Sequence, residues 1–569
     1  MRRRIVHGAI GSIALLGAGF FPLDASASNG LESPEAGAYQ VGRGGAWIAR
    51  ADDPLAVYFN PAGLVRQATG VHVGAHLIFL NRCYTRTGQD SDEDSPTYGQ
   101  YGVPVSPGNG YAGPGADPEG PEVGPPAAIC EKTQPFPNPQ LAANFRVHER
   151  FAIGIGVFAP HGVGSAEWPE ELPFKNRLGV ETTQPSAQRY MLVSSSSSIL
   201  FPTLSASFAV SPELSVGAGF TWGIAVAEFV NFSEALSAAP AKGNVCGPNG
   251  DQPCVAFDDY GRDVRAKLNA TDIFIPGIVL GAIWSPSRNI DVAGWFRWSD
   301  AIDTDASVTT ESNYFSDSGV KDEEVDKCSD ANNEQCTTTL GSKEGDPGYN
   351  AGHLKLNIPL EAKLGVRFHW PRQNPGPRPS WAQGSKTVRD AMSEDLFDVE
   401  ANFTYANNSA VQAIELRFKE GIKINGTPGN LPANADIPHN WRDVFGVRLG
   451  GEYVLLPSRL ALRAGGFYES SGQDPRYLNL DFHLSERIGL SGGASVRLGP
   501  VDVTASYQHT FFGTTDNGGR GALYGLSGDA STGADPNKPG GAFRTYQPIN
   551  GGKLESELNE VALGATLRF

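Results

Sequence analysis

Between residues 354 and 369 the chain alternates apolar and polar for eight consecutive pairs. Leu354, Leu356, Ile358, Leu360, Ala362, Leu364, Val366 and Phe368 fall on one face, opposite Lys355, Asn357, Pro359, Glu361, Lys363, Gly365, Arg367 and His369. A helix cannot hold such a pattern, because its side chains repeat every 3.6 residues, whereas a strand's repeat every two. Val561 to Phe569 and Val501 to Tyr507 read the same way. Sandwich strands usually run about 5–6 residues. Strands that cross the hydrocarbon of a bilayer need ~9–11. Long alternating runs therefore point to an all-β transmembrane barrel, in which only every second residue has to face lipid.

The connections support this. Short ones occur at 148–150, 211–213, 285–289, 456–458 and 499–500, and long polar ones near 83–135, 229–268, 300–350, 408–438 and 513–553. Short turns at one end and long loops at the other are the outer-membrane pattern. The connection 370–393 breaks it, being long where a short turn is expected. Strands starting near 70, 138, 151, 190, 214, 270, 290, 352, 396, 440, 459, 478, 501 and 556 give fourteen in all. An even number returns the C-terminus to the short-turn end, so first and last strands can pair and satisfy every backbone group. Trp284 and Trp370 stand at strand ends there, where aromatic girdles form.

Residues 1–27 read as a secretory leader: Arg2 to Arg4, an apolar run from Ile5 to Phe21, and the small-residue site Ala25-Ser26-Ala27. The formal net charge is −17, and loss of the leader leaves the chain more acidic still. Nucleic acid is not an expected partner. The six cysteines of an exported chain read as disulfide candidates, and nearest-neighbour pairing closes three separate loops: Cys83 with Cys130, Cys246 with Cys254, Cys328 with Cys336. Acidic runs at Asp90 to Asp94 and Asp322 to Asp326 lack the glycine and glutamate pattern of a calcium loop. They read as solvated surface, and no metal or cofactor site is expected. The ten histidines show no metal-ligand spacing, so the chain is not read as an enzyme.

Ahead of the strands lies ARADDPLAVYFNPAGLVR, residues 49–66. Asp53-Pro54 and Asn60-Pro61 each place a capping residue before a proline at the first helical position. The segment reads as two short helical pieces joined at a corner, since each proline restricts the residue before it. Fourteen strands enclose more space than their own side chains fill, and so compact a piece fits the lumen. Residues 39–64, YQVGRGGAWIARADDPLAVYFNPAGL, resemble the N-terminal hatch of the FadL/TodX family, outer-membrane transporters of long-chain fatty acids and hydrophobic compounds. GIGVFAPHGVGSAEWP (154–169) resembles that family's third strand and outward loop. WRDVFGVRLGGEYVLLPSRLALRAGGFYESS (441–471) resembles its paired later strands, and INGGKLESELNEVALGATLRF its closing strand.

The resemblance implies a domain layout of leader 1–27, hatch 28–66 and barrel 67–569. It implies passive transport: capture of a long-chain fatty acid or other hydrophobic molecule by the loops, passage above the hatch, and sideways release through a kink in the third strand. Asn60, Pro61 and Ala62 match the hatch motif as gate residues. Pro160, His161 and Gly162 fall at the kink. Lys355, Lys363 and Arg367 lie on the expected lumen face of one strand, with Arg297 and Arg448 placed likewise, as candidates for a carboxylate. Outer-membrane lipid, lipopolysaccharide and the barrel-assembly machinery are the implied partners, the last through Phe569, and the barrel is expected as a monomer. Uptake of aromatic or alkane hydrocarbons, or an adhesive or structural role, are the alternatives. A general porin is disfavoured by the hatch-like segment.

Overall fold

In the computed structural model, described residues comprise 37–89, 128–132, 135–159, 164–175, 181–234, 263–312, 314–315, 352–383, 385, 387–419, 422, 424, 431, 433–524 and 548–569, with strand fragments at 101–104, 245–246, 252–255, 337–340, 526–528 and 542–545. The leader 1–27, Pro160 to Gly162, Cys328, Cys336 and both acidic runs lie outside them, as do the side chains of Cys246 and Cys254.

Fourteen antiparallel strands close a barrel. They are β1 (Gly70–Gln89), β2 (Phe136–His148), β3 (Phe151–Phe158), β4 (Ser194–Ala209), β5 (Leu214–Glu234) and β6 (Asp263–Trp284), then β7 (Ile290–Ser299 and Ile302–Glu311), β8 (Gly352–Leu356 and Glu361–Pro371) and β9 (Asp395–Ala406 and Ala413–Phe418), and finally β10 (Val444–Leu456), β11 (Leu460–Glu469), β12 (Arg487–Leu498), β13 (Val501–Phe512) and β14 (Gly552–Arg568). Each pairs with the next, and β1 pairs with β14 from Gly70↔Arg568 to Arg86↔Gly552, which closes the ring. Twelve of the fourteen expected starts lie within four residues of these, and β6 begins seven residues before the expected 270. The other exception is 478. Leu478, Leu480, Phe482 and Leu484 do alternate, but their stretch folds into the lumen as extended coil, so all four are buried and β12 begins at Arg487.

The outward face carries an apolar band with Val73, Leu141, Leu204, Ile278, Leu364, Leu449, Leu490 and Leu563 all exposed. Such a continuous belt of bare aliphatic side chains is suited to lipid. Trp284, Trp370 and Tyr453 mark its short-turn edge, and Trp222, Phe274 and Trp298 its long-loop edge. On β6, Phe274 to Trp284 is a run of the length a tilted strand needs to cross the hydrocarbon (~9–11 residues).

The eight-pair alternation does not stay on one face. On β8, Leu364, Val366 and Phe368 point outward, but Leu354 and Leu356 point inward. The phase flips across 357–360, where Pro359 cannot donate to a ladder. β7 flips at 300–301 and β6 across 271–274, so three adjacent strands change phase together. Below the flip Ile278 and Leu280 of β6, Phe296 and Trp298 of β7, and Leu364 and Val366 of β8 face lipid. Above it the apolar side chains face the lumen, and Asp303, Asp305 and Lys355 turn outward. Lys355 is therefore not on the lumen face, as the uninterrupted pattern had implied.

The N-terminal segment lies inside the barrel. It holds α1 (Ala38–Val41), α2 (Ala56–Phe59) and a 3₁₀ turn (Pro61–Arg66), and nearly all of its side chains are buried. Asn60 caps the 3₁₀ turn as its sequence suggested, its Oδ1 accepting the Ala62 N–H at 3.2 Å. Asp53 instead accepts the Leu55 N–H at 2.8 Å, so α2 starts three residues beyond the expected cap. The connection 372–394 runs under this segment across the short-turn mouth. Its Arg389 N–H meets the Arg66 carbonyl at 3.1 Å, Arg389 pairs with Asp291 of β7 at 2.9 Å, and Asp390 pairs with Arg497 of β12 at 2.7 Å.

Candidate functional site

An apolar cavity lies in the lumen against Phe482 of the inward-folded stretch. Its wall is built from the phase-flipped strands: Ala270 of β6, Ile302 of β7, Leu354 and Leu356 of β8. Ile199 of β4, Ala225 of β5 and Ile414 of β9 complete it. Its lining is almost wholly apolar, which suits a small hydrophobic ligand. None of these residues was singled out as a site residue from the sequence. The signal was present, since the cavity forms where the apolar phase changes side, but a pattern read as one strand conceals that change.

Beneath the cavity stands an aromatic cluster. Tyr58 stacks on Phe158 with centroids 5.1 Å apart, Phe59 meets Phe158 edge-on at 5.8 Å, and Phe201 lies 6.2 Å from Tyr58. Tyr58 and Phe59 belong to α2. Phe158 is the last residue of β3, and Phe201 is its partner on β4. The ladder stops at that pair and resumes only at Gly164↔Ser197. Phe136 to Gln140 of β2 continue past it, paired with β1 but not with β3. Among the described residues the β3 ladder therefore lacks rungs between these two pairs, and the tip of the N-terminal segment packs on Phe158 at its lower end. Pro160, His161 and Gly162 fall within that interval of the sequence.

Asn60, Pro61 and Ala62 sit against bare backbone of β5 and β6. A Cβ on Gly281 would lie 2.0 Å from Asn60 Oδ1, and one on Gly217 would lie 2.4 Å from the Pro61 carbonyl carbon. Glycine alone permits this approach. Asn60 Nδ2 also donates to the Ile48 carbonyl at 2.8 Å, which ties the two halves of the segment together.

Charged groups fix the segment to the opposite wall. Arg43 reaches Asp398 at 2.6 Å, Arg50 reaches Asp398 at 2.5 Å and Glu452 at 2.8 Å, and Arg463 reaches Glu452 at 2.7 Å. All are almost completely buried. The Ala49 N–H donates to Glu400 at 2.9 Å. Buried charges of this kind hold only while paired.

The candidate cations belong to such networks. Arg367 contacts Asp395 at 2.8 Å, with Asp291 and Asp398 at 3.2 Å. Arg448 pairs with Glu469, and Arg297 with Glu361 at 3.4 Å and with the Tyr58 hydroxyl. Lys363 lies over the Trp295 ring at 4.8 Å and 3.9 Å from Glu361. Lys355 is on the outside, 3.9 Å from Asp303. The structure does not bring these five together, and none lines the cavity. Among the cysteines, Cys83 and Cys130 form a disulfide, joining β1 to the start of the descending chain.

No family model matches the chain, and no curated protein matches it. Solved structures do. A FadL homologue of Pseudomonas aeruginosa matches with a TM-score of 0.60 at 16% identity, over 95% of this chain and 99% of that one. The toluene transporter TodX of P. putida matches with a TM-score of 0.52 at 13% identity, over 94% and 99%. At these identities the likeness is one of fold.

Proposed function

We propose that this barrel belongs to the FadL/TodX family and admits hydrophobic small molecules passively through a bacterial outer membrane. The observation that carries this reading is the apolar cavity lined by Ser197 and Ile199 of β4, at the interval where the β3 ladder stops. A molecule caught among the long loops enters the cavity. Displacement of Tyr58 and Phe59 frees Phe158 and Phe201 at the edge of the wall. The molecule then leaves sideways between β3 and its neighbours into the outer leaflet, with Asn60 to Ala62 as the hinge of the hatch and Pro160 to Gly162 as the kink. The apolar lining favours a neutral hydrophobic compound. A fatty acid carboxylate would have to draw a cation away from an existing carboxylate, which leaves a buried charge unpaired and costs several kcal/mol. The toluene transporter of like fold is consistent with a neutral substrate.

The test is uptake of labelled toluene and labelled oleate by cells lacking their own outer-membrane transporters. The cells carry this protein or a version without residues 28–66, with surface assembly checked for both. Uptake of toluene above oleate supports the neutral substrate, and oleate above toluene restores the fatty acid. Uptake of neither by an assembled barrel overturns the transport reading.

A further inference from the structure

The β3 interruption is not the only place where the barrel wall loses its ladder. Between β6 and β7 the pairing stops at Ala270↔Ala306 and resumes at Gly277↔Ser299. Residues 271–275 and 301–305 face each other in the same register without ladder pairing. Side chains bridge them instead. The Asp272 carboxylate accepts the Asp303 N–H at 3.1 Å, and the Thr304 hydroxyl donates to the Thr271 carbonyl at 2.9 Å. At the lower end the Asp300 N–H reaches the Pro276 carbonyl at 2.8 Å. Meanwhile β6 keeps its ladder to β5 through a bulge at Gly223/Ala225, so the break belongs to the β6/β7 seam alone.

The seam connects two apolar surfaces. Ala270 and Ile302, which flank it inside, line the cavity. Ile273 and Phe274 flank it outside, 68% and 53% exposed, at the upper edge of the lipid-facing band. The Trp222 indole holds the Ile273 carbonyl, at 2.5 Å. A stretch closed by two side-chain hydrogen bonds opens at lower cost than a ladder of the same length, because it has fewer bonds to break.

We propose that the β6/β7 seam is a second lateral exit from the cavity, selective for neutral hydrophobic molecules. The inference rests on the transport reading above. The selectivity follows from the rim, which carries Asp272, Asp300, Asp303 and Asp305. His353 and Lys355 lie beside these, His353 at 2.9 Å and Lys355 at 3.9 Å from Asp303. The rim stays net acidic, so a carboxylate is repelled while an uncharged ring or alkyl chain passes. Two exits then divide the substrates: neutral molecules leave mainly by the seam, and charged ones by the β3 interruption.

The test staples the seam. Thr271→Cys with Asp305→Cys places two thiols opposite each other in the continued register, on the outward face. Toluene uptake above the background of cells without the barrel is compared for the oxidised and the reduced staple. Wild type is treated with the same reductant, and folding is checked by heat-modifiable migration. The expected result is at least a fivefold loss of toluene uptake on oxidation, restored by reductant, with wild type unaffected. Oxidised and reduced forms within about twofold of each other, in a system where wild type takes up toluene, overturn the second exit and leave the transport reading intact. If wild type takes up neither toluene nor oleate, the transport reading falls and the exit with it. Should the staple fail to assemble, Asp272→Ala removes the central bridge. A rise in toluene uptake of at least twofold supports the exit, and an unchanged or lower rate overturns it.

Discussion

The lower and upper halves of this barrel enclose different media. Below the phase flip the inward faces of β9 to β11 carry polar and charged side chains, and Asp398, Glu400 and Glu452 grip the N-terminal segment. Above it the inward side chains are aliphatic, and they line a cavity. Outside, the order is reversed, with leucines and valines below and aspartates above. Both halves come from the same alternating strands. A change of phase on β6, β7 and β8 exchanges the two faces where the barrel leaves the lipid. The lower half is built to hold something in place. The upper half is built to let something in, and its walls are correspondingly discontinuous.

The sharpest way to break this contrast is to remove the centre of the lower grip. Asp398 serves Arg43, Arg50 and Arg367 at once. Asp398→Leu leaves three buried guanidinium groups short of a partner, and breaking a buried pair costs about 3–5 kcal/mol. Hydrogen exchange of the amides in 38–66 should then quicken by two to three orders of magnitude, while strand amides of β12 to β14 stay protected. Equal protection in both regions would mean that packing against the wall glycines, not charge, holds the segment.

One large side chain should act oppositely in the two halves. Ala225→Trp points an indole into the cavity, and toluene uptake should fall at least tenfold with the barrel still heat-modifiable. Gly281→Trp meets Asn60 at once, since even a Cβ there would lie 2.0 Å from Oδ1. That variant should fail to seat its N-terminal segment. If Ala225→Trp transports normally, the cavity is not on the route.

The strand count, the closure and the lumen-filling segment were legible because alternation, loop lengths and the Asp-Pro and Asn-Pro pairs are local signals. Two features were not. The flip at 357–360 leaves the apolar-polar alternation of the letters intact, because it is the backbone that turns; Leu354 and Leu364 look equivalent in the sequence and face opposite sides. The stretch 478–484 alternates like a strand, but its apolar face found the lumen before it found a ladder partner. The candidate cations were correctly seen as inward on β7, β8 and β10, apart from Lys355. Their carboxylate partners lie on other strands, so only the closed barrel reveals that they are taken.

A smaller effect separates the segment's own chemistry from its grip. Asp53 is buried, and burial, aided by neighbouring Asp52, raises its carboxyl to about 7. The docked state therefore favours the protonated form. That contribution is fully present below pH ~4, where the undocked carboxyl also holds its proton, and is lost as pH rises to about 7. Between pH 6 and 7 docking should weaken about fivefold, read as faster exchange of the amides in 54–66. Asp53→Asn should flatten the profile while Asp398→Leu should not. A profile unchanged in Asp53→Asn would assign the dependence to another group.

The smallest effect belongs to the upper half's one described disulfide. Cys83 and Cys130 are 47 residues apart in sequence, and closing a loop of that length restricts the open chain by about 4 kcal/mol in the entropic account. Neither residue lines the cavity, and the β1–β14 ladder runs through Cys83↔Glu555 whether or not the bridge exists. Replacing both with Ser should therefore leave toluene uptake within about twofold, yet hasten proteolysis between 90 and 128 severalfold. A large loss of uptake would show that this loop helps to form the entrance, and would extend the upper half's open architecture from its walls to its roof.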